Sequence, residues 1–253
     1  MHKSLKSLLA TSILAGSLAV AAPAFAEDEA ASDITITGSA TLTSDYRLRG
    51  ISQTDKGIAV QGALTVTHSS GLYVGTWASN LGGNGTWGGS DMELDLIAGF
   101  SKGVGAVTLD GGVVYYVYPG TKGHDYIELY GSVAAPIGPV KAKLGTYWAP
   151  KQNNIGGDNI WVYTDLALPI EGTPITLKAH GGYSDGNSIY TYGSDVFDYS
   201  FGADISYKML TLNVSYTGTD MNKGFANVFY GAGSKSGRAI TKGGVVATLT
   251  AAF

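Results

Sequence analysis

From Ile34 to the C-terminus the sequence alternates apolar and polar residues in segments of about ten, the length a tilted strand needs to cross a bilayer. Ile34, Ile36, Ala40 and Leu42 fall on one face of the first segment, and Thr35, Thr37, Ser39, Thr41 and Thr43 on the other. Met92, Leu94, Leu96, Ala98 and Phe100 alternate with Glu93 and Asp95; Val245, Ala247, Leu249, Ala251 and Phe253 end the chain in the same way. Counted along the chain, the pattern predicts about twelve strands. The links between them are sorted by length. Short ones fall near 68–71, 101–106, 136–139, 169–174 and 208–209; long ones fall near 50–57, 81–91, 119–125, 150–159, 184–197 and 219–242. A meander with short turns at one end and long loops at the other is the layout of an outer-membrane barrel. A soluble sandwich also alternates, but has no reason to sort its links. In lipid, closure satisfies every backbone group, which an open sheet cannot do.

The N-terminal segment reads as an address. Lys3 and Lys6 precede an apolar stretch over 8–22, and Ala24-Phe25-Ala26 fits the small-x-small cleavage rule. The stretch is shorter than the ~20 residues of a spanning helix. The expected division is therefore a cleaved signal peptide over 1–26 and a barrel over 27–253, located in the bacterial outer membrane. The fold class is all-β: a transmembrane, up-and-down, antiparallel β-barrel.

Composition narrows the function. A net charge of −4 leaves no electrostatic footprint for nucleic acid. With no cysteine there is no disulfide framework and no Cys-ligated zinc. Thirty-seven glycines and sixteen tyrosines suit strands, open turns and interfacial girdles. Tyr46, Tyr73, Trp77, Phe100, Tyr115, Trp148, Tyr183, Tyr207 and Tyr216 lie near strand ends and are expected to form the girdles.

If the apolar face meets lipid, the charges between apolar residues face the lumen. Asp45, Arg47 and Arg49 are expected on one face of the first strand. Together with Glu93, Asp95 and Glu128 they should sit in the outer half. Asp110, Lys143, Asp165, Lys178 and Asp204 should sit nearer the periplasm. This pore-lining set has seven acids and four bases, which predicts weak cation preference. Tyr116, Tyr118, Tyr130, Tyr147, Trp161 and Tyr163 share the lumenal face, and lumen packing is favoured over a slide for flat ligands.

An enzyme is not expected. Catalysis by a hydroxyl nucleophile needs an oriented base. His180 is the one strand-borne histidine on a lumenal face, with Ser184 and Asp185 placed in the following loop; His68 and His124 fall in links. Residues 83–88 match a dinucleotide pattern in letters alone, without the strand–helix context. The Asp- and Asn-rich links lack a calcium-loop spacing. No cofactor or metal is implied.

Three stretches resemble a known family: 44–54 (SDYRLRGISQT), 93–100 (ELDLIAGF) and 112–120 (GVVYYVYPG). With the overall layout they are similar to the TorF porin family, a conserved, uncharacterised outer-membrane family of proteobacteria. The resemblance implies an outer-membrane location and a channel role, and supplies no substrate and no catalytic residues. The expected function is passive diffusion of small hydrophilic solutes or ions through a monomer or homotrimer set in outer-membrane lipids. The alternatives are a plugged structural barrel with binding loops and an outer-membrane lipid hydrolase.

Overall fold

A computed structural model describes residues 32–82, 89–191, 194–222 and 237–253. The signal peptide, the 83–88 motif and most of the link over 219–242, including Phe225, Phe229 and Tyr230, lie outside the described residues.

Twelve strands form the wall: β1 (Ile34–Thr43), β4 (Ala59–His68), β5 (Leu72–Asn80), β6 (Met92–Val104), β7 (Val107–Val117), β8 (Tyr126–Ile137), β9 (Val140–Ala149), β10 (Gly156–Pro169), β11 (Ile175–Ser188), β12 (Val196–Tyr207), β13 (Leu210–Thr219) and β14 (Gly244–Ala252). Two short strands, β2 (Arg47–Leu48) and β3 (Ile51–Ser52), form a separate hairpin. One helical turn, α1 (Gly237–Ile240), precedes β14. Each wall strand pairs antiparallel with the next, and β1 pairs with both β4 and β14, so the sheet closes. At the seam Gly38 N donates to Phe253 O at 2.7 Å, and Phe253 N donates to Gly38 O at 2.9 Å. Closure leaves no free edge.

Alternation sets which face is which. Ile36, Val60, Val74, Leu96, Leu109, Leu144, Leu166, Phe201 and Leu249 are exposed on the outside, while their sequence neighbours turn inward. The outward charges on the wall strands are Lys102, Asp158 and Asp185, each near a strand end. The middle band is free of charge, as a lipid-facing surface requires, since a Lys or Arg at the midplane costs about 2–4 kcal/mol.

Two expectations are corrected here. Phe100, Tyr115, Trp148, Tyr183, Tyr207 and Tyr216 do face outward, but Tyr46 and Tyr73 are buried inside and Trp77 packs against them, so these three belong to the interior. Strands β10 and β11 are also longer than their alternation suggested. Ser184 and Asp185 therefore lie within β11 rather than in a loop.

Candidate functional site

The candidate site is the bore, and its main feature comes from the link between β1 and β4. Asp45, Arg47 and Arg49 are not on the first strand, which ends at Thr43. The chain instead turns inward and folds the β2–β3 hairpin across the interior. Its two-residue turn is Arg49-Gly50, with φ of 48° and 78°, the positive values that a tight type I′ hairpin needs. A side chain on Gly50 would put its Cβ 2.4 Å from Gly218 O on β13, so glycine is required by both conformation and contact. Asp45 organises the base: its Oδ2 accepts from Arg47 Nε at 2.8 Å, and its Oδ1 accepts from Ser52 Oγ at 2.5 Å. Tyr46 N donates to Thr54 Oγ1, and Gly82 N donates to Gln53 O.

Arg49 carries the tip across the bore. Its Nη2 donates to Glu128 on β8 at 2.7 Å and its Nη1 to Asn159 on β10 at 3.1 Å. Its guanidinium lies 5.0 Å from the Trp161 ring centre and 4.6 Å from that of Tyr190. Such stacking suits a planar, weakly hydrated cation. On the opposite side Ile51 packs with Val196, Met221 and Ile240, so the end of α1 buttresses the hairpin. Arg47 Nη1 donates to Lys242 O. The hairpin thus touches β6, β8, β10, β12 and β13.

Around it the long-link half of the bore is packed. Glu93, Asp95 and Glu128 are 1%, 0% and 1% exposed. Tyr46 donates to Glu93 Oε2 at 3.2 Å, and Tyr116 donates to Glu128 Oε2 at 2.9 Å. Tyr116 stacks on Tyr126 with centroids 4.3 Å apart, and the Tyr118 ring lies nearly parallel to Tyr126 at 6.3 Å.

From the level of Trp161, which Arg49 overlies, toward the short turns, polar groups pair along the wall. His180 on β11 lies between two carboxylates: Nδ1 is 2.6 Å from Asp165 Oδ1 on β10, and Nε2 is 2.9 Å from Asp198 Oδ1 on β12. A neutral imidazole has one N–H, so both bonds form together only in the imidazolium. Trp161 Nε1 donates to Asp198 Oδ2 at 2.9 Å. A Cβ on Gly182 would sit 2.3 Å from that nitrogen, so the inward glycine leaves the space the indole fills. Lys178 pairs with Asp204 at 3.5 Å, Asp110 accepts from Tyr73, and Lys143 lies over the Tyr163 ring. Tyr73 and Tyr130 hydroxyls are bonded to each other. Tyr130, Tyr147, Trp161 and Tyr163 pack ring against ring along β8, β9 and β10.

All eleven charged residues singled out from sequence are therefore buried or half-buried toward the interior. Tyr126, Asn159, Tyr190 and Asp198 were not foreseen. Asn159, Tyr190 and Asp198 sit in or beside stretches read as links, where no alternation flagged them. Among the described residues, no group of three His, Cys, Asp or Glu side chains is arranged to hold a metal.

The closed twelve-stranded wall and its charged interior define the protein as a small barrel of porin fold. The chain belongs to the family described as "Bacterial protein of unknown function (Gcw_chp)", whose model matches residues 27–253. That match does not carry the TorF name. No curated protein matches the chain by sequence. Among solved structures it is similar to the KdgM porin, at 7% identity and TM-score 0.55 over 86% of this chain and 98% of that one. It is also similar to the NanC porin, at 8% identity and TM-score 0.53 over 87% and 99%. A further KdgM structure, "in complex with disordered oligogalacturonate", aligns at 7% identity and TM-score 0.54, over 86% of this chain and 98% of that one. At such identities the likeness is one of fold.

Proposed function

We propose that the protein is an outer-membrane channel for small hydrophilic solutes or ions, weakly cation-preferring, with the β2–β3 hairpin as its constriction. The observation that carries this reading is the hairpin itself, held inside a closed, lipid-facing barrel by Arg49 and surrounded by carboxylates. The long-link end is the outer one, and the short turns face the periplasm. Beside the hairpin, β13, β14, β1 and β4 present Asn213, Ser215, Thr217, Thr248, Thr250, Thr41 and Gln61, all half-buried. This hydroxyl-rich wall is the route for solutes, with Asp45 and Arg47 at its mouth. The acid excess of the inward set sorts for cations and neutral solutes. It also distinguishes this bore from one suited to a polyanion such as the oligogalacturonate in the KdgM complex.

Transport is passive and not catalytic. His180 has carboxylates on both ring nitrogens, which supports a wall-stitching role over that of a base beside a hydroxyl. Lipids of the outer membrane are the surrounding partner, and the assembly is a monomer or homotrimer.

The test is conductance of refolded protein in a planar bilayer, with the reversal potential read under a salt gradient. Discrete steps with a cation-shifted reversal are expected. Silence from a demonstrably folded barrel would overturn the channel and favour a structural barrel with binding loops, consistent with the packed outer half.

A further inference from the structure

The outer half of the bore holds more negative charge than its described partners neutralise. Three carboxylates project inward there: Glu93 and Asp95 from β6, and Glu128 from β8, all at most 1% exposed. Of the two guanidiniums described there, Arg49 is bonded to Glu128 and Arg47 to Asp45. Glu93 Oε2 accepts from Tyr46, but Glu93 Oε1 and both carboxylate oxygens of Asp95 are buried and accept no hydrogen bond from the described residues. Glu93 and Asp95 are two residues apart on one strand, so their side chains stand side by side on the same face. Asp95 also lies within the field of both Glu93 and Glu128. Two desolvated carboxylates side by side, with no cation bonded to either among the described residues, do not persist ionised without a counter-charge.

We propose that Glu93 and Asp95 form a binding site for one divalent hard cation, Ca²⁺ by its chemistry, between β6 and the hairpin. Every donor is oxygen, which selects hard cations over softer metals. The uncompensated charge is that of two carboxylates, which one divalent ion neutralises and one Na⁺ or K⁺ does not. Ca²⁺ accepts irregular shells of six to eight oxygens, whereas Mg²⁺ demands a near-ideal octahedron. The three open carboxylate oxygens supply part of such a shell. The hydroxyls of Tyr46 and Tyr118, which both lie against Glu93, and water complete it. Because only two carboxylates are involved, affinity belongs to the weak range of extracellular Ca²⁺ modules, about 10⁻⁴–10⁻³ M. An ion there ties the hairpin to β6 through Tyr46. The site does not depend on the barrel conducting, so it stands or falls separately from the channel.

The experiment uses refolded full-length barrel in detergent, stripped with chelator and titrated with CaCl₂ at neutral pH by calorimetry. One saturable site is expected, weakened at least about tenfold by Asp95→Asn or Glu93→Gln. Asp185→Asn, an outward acid far from the site, should leave binding unchanged. Absence of saturable binding by folded wild type, or equal binding by both bore variants, would overturn the proposal and leave protons as the compensating charge. A second readout needs no variant: Tb³⁺ luminescence excited through the tyrosines beside the site. Sensitised emission that Ca²⁺ displaces is expected. No sensitised emission overturns the site, and displacement by equimolar Na⁺ overturns its divalent character.

Discussion

Along β6, β7 and β8 the same strands line two different interiors. Toward the long links their inward residues are Glu93, Asp95, Tyr116, Tyr118, Tyr126 and Glu128, each at most 3% exposed. Toward the short turns they are Ser101, Thr108, Asp110, Ser132 and Ala134, all half-buried. The strand geometry is continuous, so the difference lies in what fills the bore. At one end a hairpin from the β1–β4 link brings in its own side chains and excludes water. At the other, wall residues pair with one another and stay half-buried. The lesson is that in a barrel of twelve strands, between the eight that side chains alone can fill and the sixteen that stay open, an inserted segment decides which half is packed.

The sharpest way to break this contrast is to remove the hairpin. Replacing residues 46–53 by a short Gly-Ser link should raise unit conductance several-fold, read in planar bilayers. Unchanged conductance would place the constriction elsewhere. Next in size is Arg49→Ala, which leaves Glu128 buried and unpaired. It should cost about 3–5 kcal/mol in urea unfolding from vesicles. The double variant Arg49→Gln with Glu128→Gln should recover most of that loss; if it does not, the guanidinium is not acting through its ion pair.

His180→Phe probes the wall pairing that begins beneath the hairpin tip. Two charge-assisted bonds are lost and Asp165 and Asp198 are left facing each other, so a loss of about 2–3 kcal/mol is expected. Conductance should change little, because the hairpin remains seated. Glu93→Gln combined with Asp95→Asn should shift the reversal potential toward neutrality, while Lys143→Gln at the other end should shift it the opposite way and by less. Equal shifts would mean that both halves select ions alike. Smallest is Tyr73→Phe, which removes hydroxyl bonds to Asp110 and Tyr130 at about 1 kcal/mol.

The wall was legible because its signal is local. A period of two repeats within each strand, and lipid outside requires an unbroken apolar face, so Ile36, Leu96 or Leu249 could be assigned outward one strand at a time. The inward charges followed from the same alternation. Tyr46, Tyr73 and Trp77 were misassigned because an aromatic near a strand end looks the same whether it anchors in headgroups or packs into the bore. Only its contacts tell the two apart.

The 44–54 stretch shows where sequence stopped. Asp45, Arg47 and Arg49, spaced at i, i+2 and i+4, read as one face of the first strand, and the stretch is one of the three that carry the family resemblance. Alternation reports only which residues share a face, not whether a segment continues the wall or turns away from it. The turn inward is decided by distant partners: Glu128 lies 79 residues and Asn159 110 residues further along the chain from Arg49. The sequence by itself determined the strand count, the lipid-facing surface and the sorting of links, since each follows from short-range periodicity against a uniform solvent. Only the tertiary structure decided that a hairpin crosses the bore, that His180 joins two acids, and that Asp95 is left without a hydrogen-bond partner among the described residues. Those outcomes rest on long-range pairings inside a closed volume, where each buried charge is defined by whatever else reaches it.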